Sequence, residues 1–258
     1  MSSIGRAQVV GPLQVVFSEP AAIEIKTAMS AFDAIRTSGI EFRYPQGGCH
    51  ARAHAMSRVL SSRSIAHGKV WVFSPSSIVM LDPNAVSEGG RFTWGYHVAP
   101  FVNLQGGGKA VFDPSLFGNG PVRLENWLGA LDCPACKVVF VDKEYYSFNT
   151  TAGAVSGFWK CDGGCGEQKW FEEELALNDV AMALITRLKA PAVEAAERAA
   201  AESLVGNICV LGRVFRPSLK KNTCSPDVAA DFEARNKGLL DRYRGTFTER
   251  VKHWSSLR

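Results

Sequence analysis

The spacing of apolar positions changes several times along the chain, and each change marks an element. Residues 8–17 (QVVGPLQVVF) read as a strand or hairpin, and residues 21–38 as a short amphipathic helix. From Tyr44 the texture turns to loop chemistry, YPQGG, which runs directly into CHARAHAMSRVLSS, a string of good helix formers with Ala53, Met56 and Leu60 on one face. Cys49 therefore falls at a helix N-terminus. β-Rich segments follow: KVWVFSP, SIVML, FTWGYHVAPFVNL and, after a GGG turn, KAVFDPSLF. The strands flanking Gly106, Gly107 and Gly108 predict a hairpin that sets His97 and Asp113 on paired antiparallel neighbours. Residues 127–170 are cysteine-rich and irregular, with CPAC and KCDGGCG as turns. Beyond Gln168 the pattern becomes helical, over 171–189, 192–205 and 227–255. The sum is an α+β fold in which a central helix packs on an antiparallel sheet. A domain over 1–167, with a Cys-rich segment 127–167, precedes a helical extension or cap over 168–258.

Composition narrows the functional classes. A chain of 258 residues, 46% apolar and 21% charged, can bury a sizeable core. The net charge of +4 is spread without a basic block, so no nucleic-acid footprint is expected. No apolar run approaches the roughly 20 residues that a membrane-spanning helix needs. The opening MSSIGRAQVVGPLQVVF lacks the apolar core and small-residue cleavage site of a signal peptide. The expected location is outside the cell or inside a target cell, reached by a route that needs no such signal, and otherwise the cytoplasm.

Seven cysteines are an odd count. With one free as a nucleophile, six remain: Cys133, Cys136, Cys161, Cys165, Cys209 and Cys224. The spacing of Cys133 with Cys136 and of Cys161 with Cys165 is close to a zinc knuckle pair, yet the second half is CxxxC and two disulfides serve equally. These four are weak metal candidates, with disulfides slightly preferred. Disulfides would imply an oxidising compartment, a metal a reducing one.

The chemistry concentrates at the start of the central helix. Unpaired N–H groups and the helix dipole stabilise a thiolate there, and the same groups can bind an oxyanion. Gly47 and Gly48 let a substrate approach the backbone. A small buried apolar cysteine is the competing reading of Cys49, and from the local sequence the two stand about even. His97 sits in WGYHVAPFV, where alternation puts it with Gly95 and Ala99, a small-residue setting that predicts accessibility. Asp113 follows across the glycine turn and can orient the imidazole. Cysteine as nucleophile, histidine as base and acid, and aspartate as orienting group make a triad. Among the other histidines, His54 reads as a packing residue, and His50 and His67 as solvent-facing. Trp94 and Tyr96 flank His97 and can wall a substrate slot. Gln46 and Gly48 are the candidates for the oxyanion site beside Cys49.

GGCHARAHAM, WGYHVAP and VFDPSLF, in that order, resemble the three motifs of the bacterial protein-glutaminase family. The likeness runs over about residues 44 to 127 and includes the GPV and Trp127 that follow the aspartate. It implies a papain/transglutaminase-like core, with Cys49 as nucleophile, His97 as base and Asp113 as third member. It further implies hydrolysis of glutamine side chains in a protein substrate through a thioester, with release of ammonia and no cofactor. Related deamidases occur among bacterial effectors and toxins, for which an unconventional export route would fit. The same triad would also serve a transglutaminase-like enzyme or a papain-like peptidase. A zinc-stapled binding module, its helical extension docking a partner protein, is the non-enzymatic alternative.

Overall fold

The computed structural model describes residues 8–9, 17–44, 46–81, 91–151, 154–160, 170–190, 193–205, 208–216 and 226–256. The first element is a two-residue strand, β1 (Gln8–Val9); the rest of the strand or hairpin expected over 8–17 lies largely outside the described residues. Helices α1 (Ile25–Arg36) and α2 (Cys49–Ser62) come next, then β2 (Gly68–Leu81), β3 (Arg91–Asn103), β4 (Lys109–Val111) and β5 (Val122–Arg123). The hairpin expected at the glycine run is there. β3 and β4 pair with Phe101 opposite Val111, and Gly106, Gly107 and Gly108 turn the chain with φ of 92°, 96° and 82°, a region that favours glycine.

Residues 127–170, expected to be irregular, carry regular elements where they are described. Helix α3 (Leu124–Leu131) leads into β6 (Lys137–Asp142), which pairs with β2, and β7 (Tyr145–Thr151) and β8 (Ala154–Lys160) form a second hairpin. The strands were hidden because β6 and β7 expose residues on both faces and so show no clean alternation. Five strands make one antiparallel sheet in the order β5-β4-β3-β2-β6; β1, β8 and β7 make a smaller one.

Helix α2 is the hub. Its alanines let neighbours approach closely, and residues on nearly every side of it are buried: Ala51, Ala53, Ala55, Met56 and Leu60, and also Arg52, His54 and Ser57. It shares one core with α1, with Trp71, Phe73 and Val98 of the large sheet, with Tyr146 and Val155 of the small sheet, and with Phe171 and Leu175. Below the large sheet a second core joins Val70, Val72, Phe101 and Trp127.

The C-terminal region is helical, as expected: α4 (Trp170–Leu188), α5 (Ala195–Val205), α6 (Ile208–Phe215), α7 (Pro226–Arg235) and α8 (Lys237–Ser256). α6 was not anticipated, and the helix expected over 227–255 is interrupted at Asn236. Asp179 on α4 accepts from Arg250 Nε at 2.6 Å and Trp254 Nε1 at 2.8 Å, which ties α8 to α4. Their core reaches into the N-terminal half, because Tyr44 is buried among Leu177, Val180, Ala181 and Leu211 and donates its hydroxyl to Val205 O at 3.0 Å. Among the described residues, no helix is long and apolar enough to cross a membrane.

Candidate active site

Cys49 is the first residue of α2, and Gly48 is the cap before it, with φ 74° and ψ 14°. A glycine cap has no side chain to satisfy the first-turn N–H groups, and the first helical bond runs from Arg52 N to Gly48 O at 2.9 Å. Those N–H groups are thus left for an anion. The loop entering the helix is held by Arg52, whose Nη1 donates to Tyr44 O at 2.9 Å and Gly47 O at 2.7 Å. From the helical half, Asn178 packs against the cap itself. A Cβ placed on Gly48 would lie 2.3 Å from Asn178 Nδ2. Asn178 is 0% exposed, and neither end of its carboxamide has a hydrogen-bond partner among the described residues. A buried polar group left unbonded costs roughly 1–3 kcal/mol.

His97 and Asp113 come together. His97 Nε2 donates to Asp113 Oδ2 at 2.8 Å, and both side chains are almost fully buried. They are not on paired strands as expected, because β4 stops at Val111 and Asp113 lies just beyond it, where the chain turns back. His97 is 1% exposed, which corrects the expectation of an accessible ring. Trp94 packs face-on against the imidazole, centroids 4.3 Å apart and planes 5° apart, and Trp127 stacks at 5.7 Å. Strict alternation would set Trp94 and His97 on opposite faces. A register irregularity between the pairs Phe73–Tyr96 and Ile78–Trp94 breaks it, with Ser74 to Ser77 facing Gly95. Trp94 therefore backs the His97 ring, while Tyr96, half-buried, is the member of the pair with access to the surface.

The electrostatics favour an ion pair. Burial alone would push the Cys49 thiol up, but hydrogen bonds and charge from His50 and His97 outweigh it and bring the group down to about 6. Burial would lower His97; the charge and hydrogen bond of Asp113, with the Cys49 thiolate, raise it to about 9. With the thiol below the imidazolium, the stable form between those values is thiolate beside imidazolium. With Nε2 committed to Asp113, the other ring nitrogen, Nδ1, is buried and bonded to no nitrogen or oxygen among the described residues, so it is the one left to face the sulfur.

Several functional contacts lay beyond the sequence reading. Trp127 donates Nε1–H to Asp113 Oδ2 at 2.9 Å, so the carboxylate oxygen that orients His97 is fixed from both sides. Only its place near the third motif hinted at this. His50, expected to face solvent, is half-buried, with Nδ1 3.2 Å from the Tyr96 hydroxyl and its ring edge-on to Tyr146 at 5.3 Å. His67 is buried, with Nδ1 2.8 Å from Ile65 O, not solvent-facing. His54 is a packed histidine, as expected. Gln46 and Gly47 are half-buried in the turn before Cys49, and Gly48 is buried. A cavity of about 270 Å³, lined by Ile40, Ala55, Val59, Phe171 and Trp254, lies along the later turns of α2 and includes none of the triad candidates. Cys133 and Cys136 are joined in a disulfide, and Cys49 is free; Cys161, Cys165 and Cys224 lie outside the described residues.

Residues 28–131 match the model of a family described as glutaminase. No curated protein matches the chain. The NMR structure of protein-glutaminase from Chryseobacterium proteolyticum is 22% identical with a TM-score of 0.49, over 67% of this chain and 95% of that one. A crystal structure of protein-glutaminase is 22% identical with a TM-score of 0.45, over 69% and 97%. A crystal structure of pro-protein-glutaminase is 23% identical with a TM-score of 0.47, over 69% and 63%. The stretch that carries Cys49, His97 and Asp113 is thus the part of the chain that matches the glutaminase family.

Proposed function

We propose that the protein is a cysteine amidohydrolase that converts glutamine side chains of proteins to glutamate. The observation that carries the reading is the buried His97–Asp113 hydrogen bond beside Cys49 at a helix N-terminus, inside the stretch that matches the glutaminase family. The Cys49 thiolate attacks the carbonyl carbon of the amide. The developing oxyanion is held by first-turn N–H groups of α2, that of Cys49 first. Collapse of the tetrahedral adduct breaks the C–N bond, and His97 gives its proton to the departing nitrogen, which leaves as ammonia. A thioester remains on Cys49. Neutral His97 then takes a proton from water, the resulting hydroxide adds to the thioester carbonyl, and loss of the thiolate yields glutamate. Asp113 holds the ring and stabilises the imidazolium.

The Cys133–Cys136 disulfide supports the further reading of an exported enzyme or effector that passes through an oxidising compartment. The test of the reaction is ammonia release from a glutamine-rich protein such as casein, wild type against Cys49→Ala, with the substrate followed by mass spectrometry. Cys49-dependent ammonia with glutamine-to-glutamate conversion is the expected result. Isopeptide cross-links without glutamate would mean acyl transfer to lysine, cut chains would mean a peptidase, and inertness of both proteins would favour a binding module.

A further inference from the structure

We propose that Asn178, carried by α4 in the helical half, is a positioning residue for Cys49: it holds the Gly48 cap in the left-handed turn from which the catalytic helix starts. The proposal rests on the reading of Cys49 as nucleophile. The side-chain amide fills the space where any Cβ on residue 48 would stand, so the cap must be glycine and its backbone is fixed from outside the helix. Around it, α4 presents Leu175, Ala176, Leu177, Val180 and Ala181, all buried and apolar. Asn178 is a buried polar residue set among them. If only its volume mattered, a leucine of nearly the same shape would fill the site without burying an unbonded donor and acceptor.

The loop before Cys49 is gripped at three points. Arg52 bonds the Gly47 carbonyl, Tyr44 is pinned by its hydroxyl to Val205, and Asn178 abuts Gly48. Two of the three grips come from the helical half, which makes it part of the catalytic unit. A carboxamide with neither end bonded among the described residues can donate to or accept from the Gly47–Gly48 peptide as that group adjusts to charge on the substrate oxygen, a bond made only as the reaction proceeds.

The experiment uses the full chain with Asn178→Leu and Asn178→Asp. It reads kcat and KM on casein, thermal unfolding, and the pH dependence of Cys49 alkylation by iodoacetamide. For Asn178→Leu the melting temperature holds or rises, while kcat falls at least about tenfold with KM nearly unchanged. For Asn178→Asp, a carboxylate against the first turn of α2 moves the alkylation midpoint up by about one pH unit. A folded Asn178→Leu protein with wild-type kcat overturns the proposal, as does an unmoved midpoint in Asn178→Asp. Should Asn178→Leu fail to fold, the alkylation midpoint alone decides. Wild type that alkylates at Cys49 but releases no ammonia would defeat the deamidase reading and leave the alkylation arm to judge Asn178.

Discussion

Two buried histidines, His54 within α2 and His97 beside its first residue, are driven in opposite directions by their neighbours. At the start of α2, His97 bonds the Asp113 carboxylate, and the imidazolium is favoured strongly enough to overcome burial. Along the helix, His54 lies 3.2 Å from Lys69 Nζ; burial first, then the positive charges of Lys69 and Arg58, hold it far below the ordinary histidine range. Lys69 is itself pushed down to about 7 by burial and donates to Tyr145 O at 2.7 Å. Burial is common to both places, so it does not decide the outcome. The sign of the adjacent charge does. A carboxylate partner leaves a charged, proton-donating ring beside a thiolate, whereas an ammonium partner leaves a neutral ring that packs.

Breaking the first arrangement has the largest effect. Asp113→Asn keeps the shape but removes the charge that raises His97, and kcat on a protein substrate is expected to fall by about 10²–10⁴-fold. Trp127→Phe is gentler. It keeps an aromatic ring against His97 but deletes the Nε1–H to Asp113 Oδ2. The expected outcome is a drop in kcat of about tenfold, and a loss of roughly 1.5–3 kcal/mol in chemical denaturation for the buried charged group that loses its donor.

Lys69→Met tests the other arrangement and is expected to leave kcat within about twofold, since Lys69 bonds His54 and Tyr145 and is not among the groups that set the charge of Cys49 or His97. Its signature is in stability. The folded chain releases the Lys69 proton near pH 7, whereas the unfolded chain keeps it up to about 10. Between those values the unfolded state binds more protons, so the stability contributed by Lys69 rises with pH across the window and is lowest below it. The melting-temperature difference between wild type and Lys69→Met should therefore move in favour of the wild type from about pH 7 to about pH 10. A flat difference would mean that Lys69 is charged in the folded protein.

The sequence carried the parts of the site that depend on local pattern and chain order. Cys49 at a helix start, the β3–β4 hairpin and the nearness of His97 to Asp113 follow from glycine placement, helix formers and strand alternation. What it could not carry are contacts between distant segments. Trp94 reaches His97 only through the irregularity opposite Gly95, which depends on how β2 bends at Ser74 to Ser77. Asn178 reaches Gly48 across a gap of more than a hundred residues, and within α4 it reads as an ordinary helix residue. His50 and His67 were misplaced because the surroundings that bury them, Tyr96 and Tyr146 for the one and the turn after α2 for the other, are set by tertiary packing.

The most direct measurement is the rate of iodoacetamide alkylation of the Cys49 peptide, read by mass spectrometry between pH 4 and pH 10, in wild type and in His97→Gln. A thiolate paired with imidazolium predicts a midpoint near 6 in the wild type and a clear upward move in the variant. A wild-type midpoint near the ordinary thiol value, or a Cys49 that does not react while the fold is intact, would contradict the account.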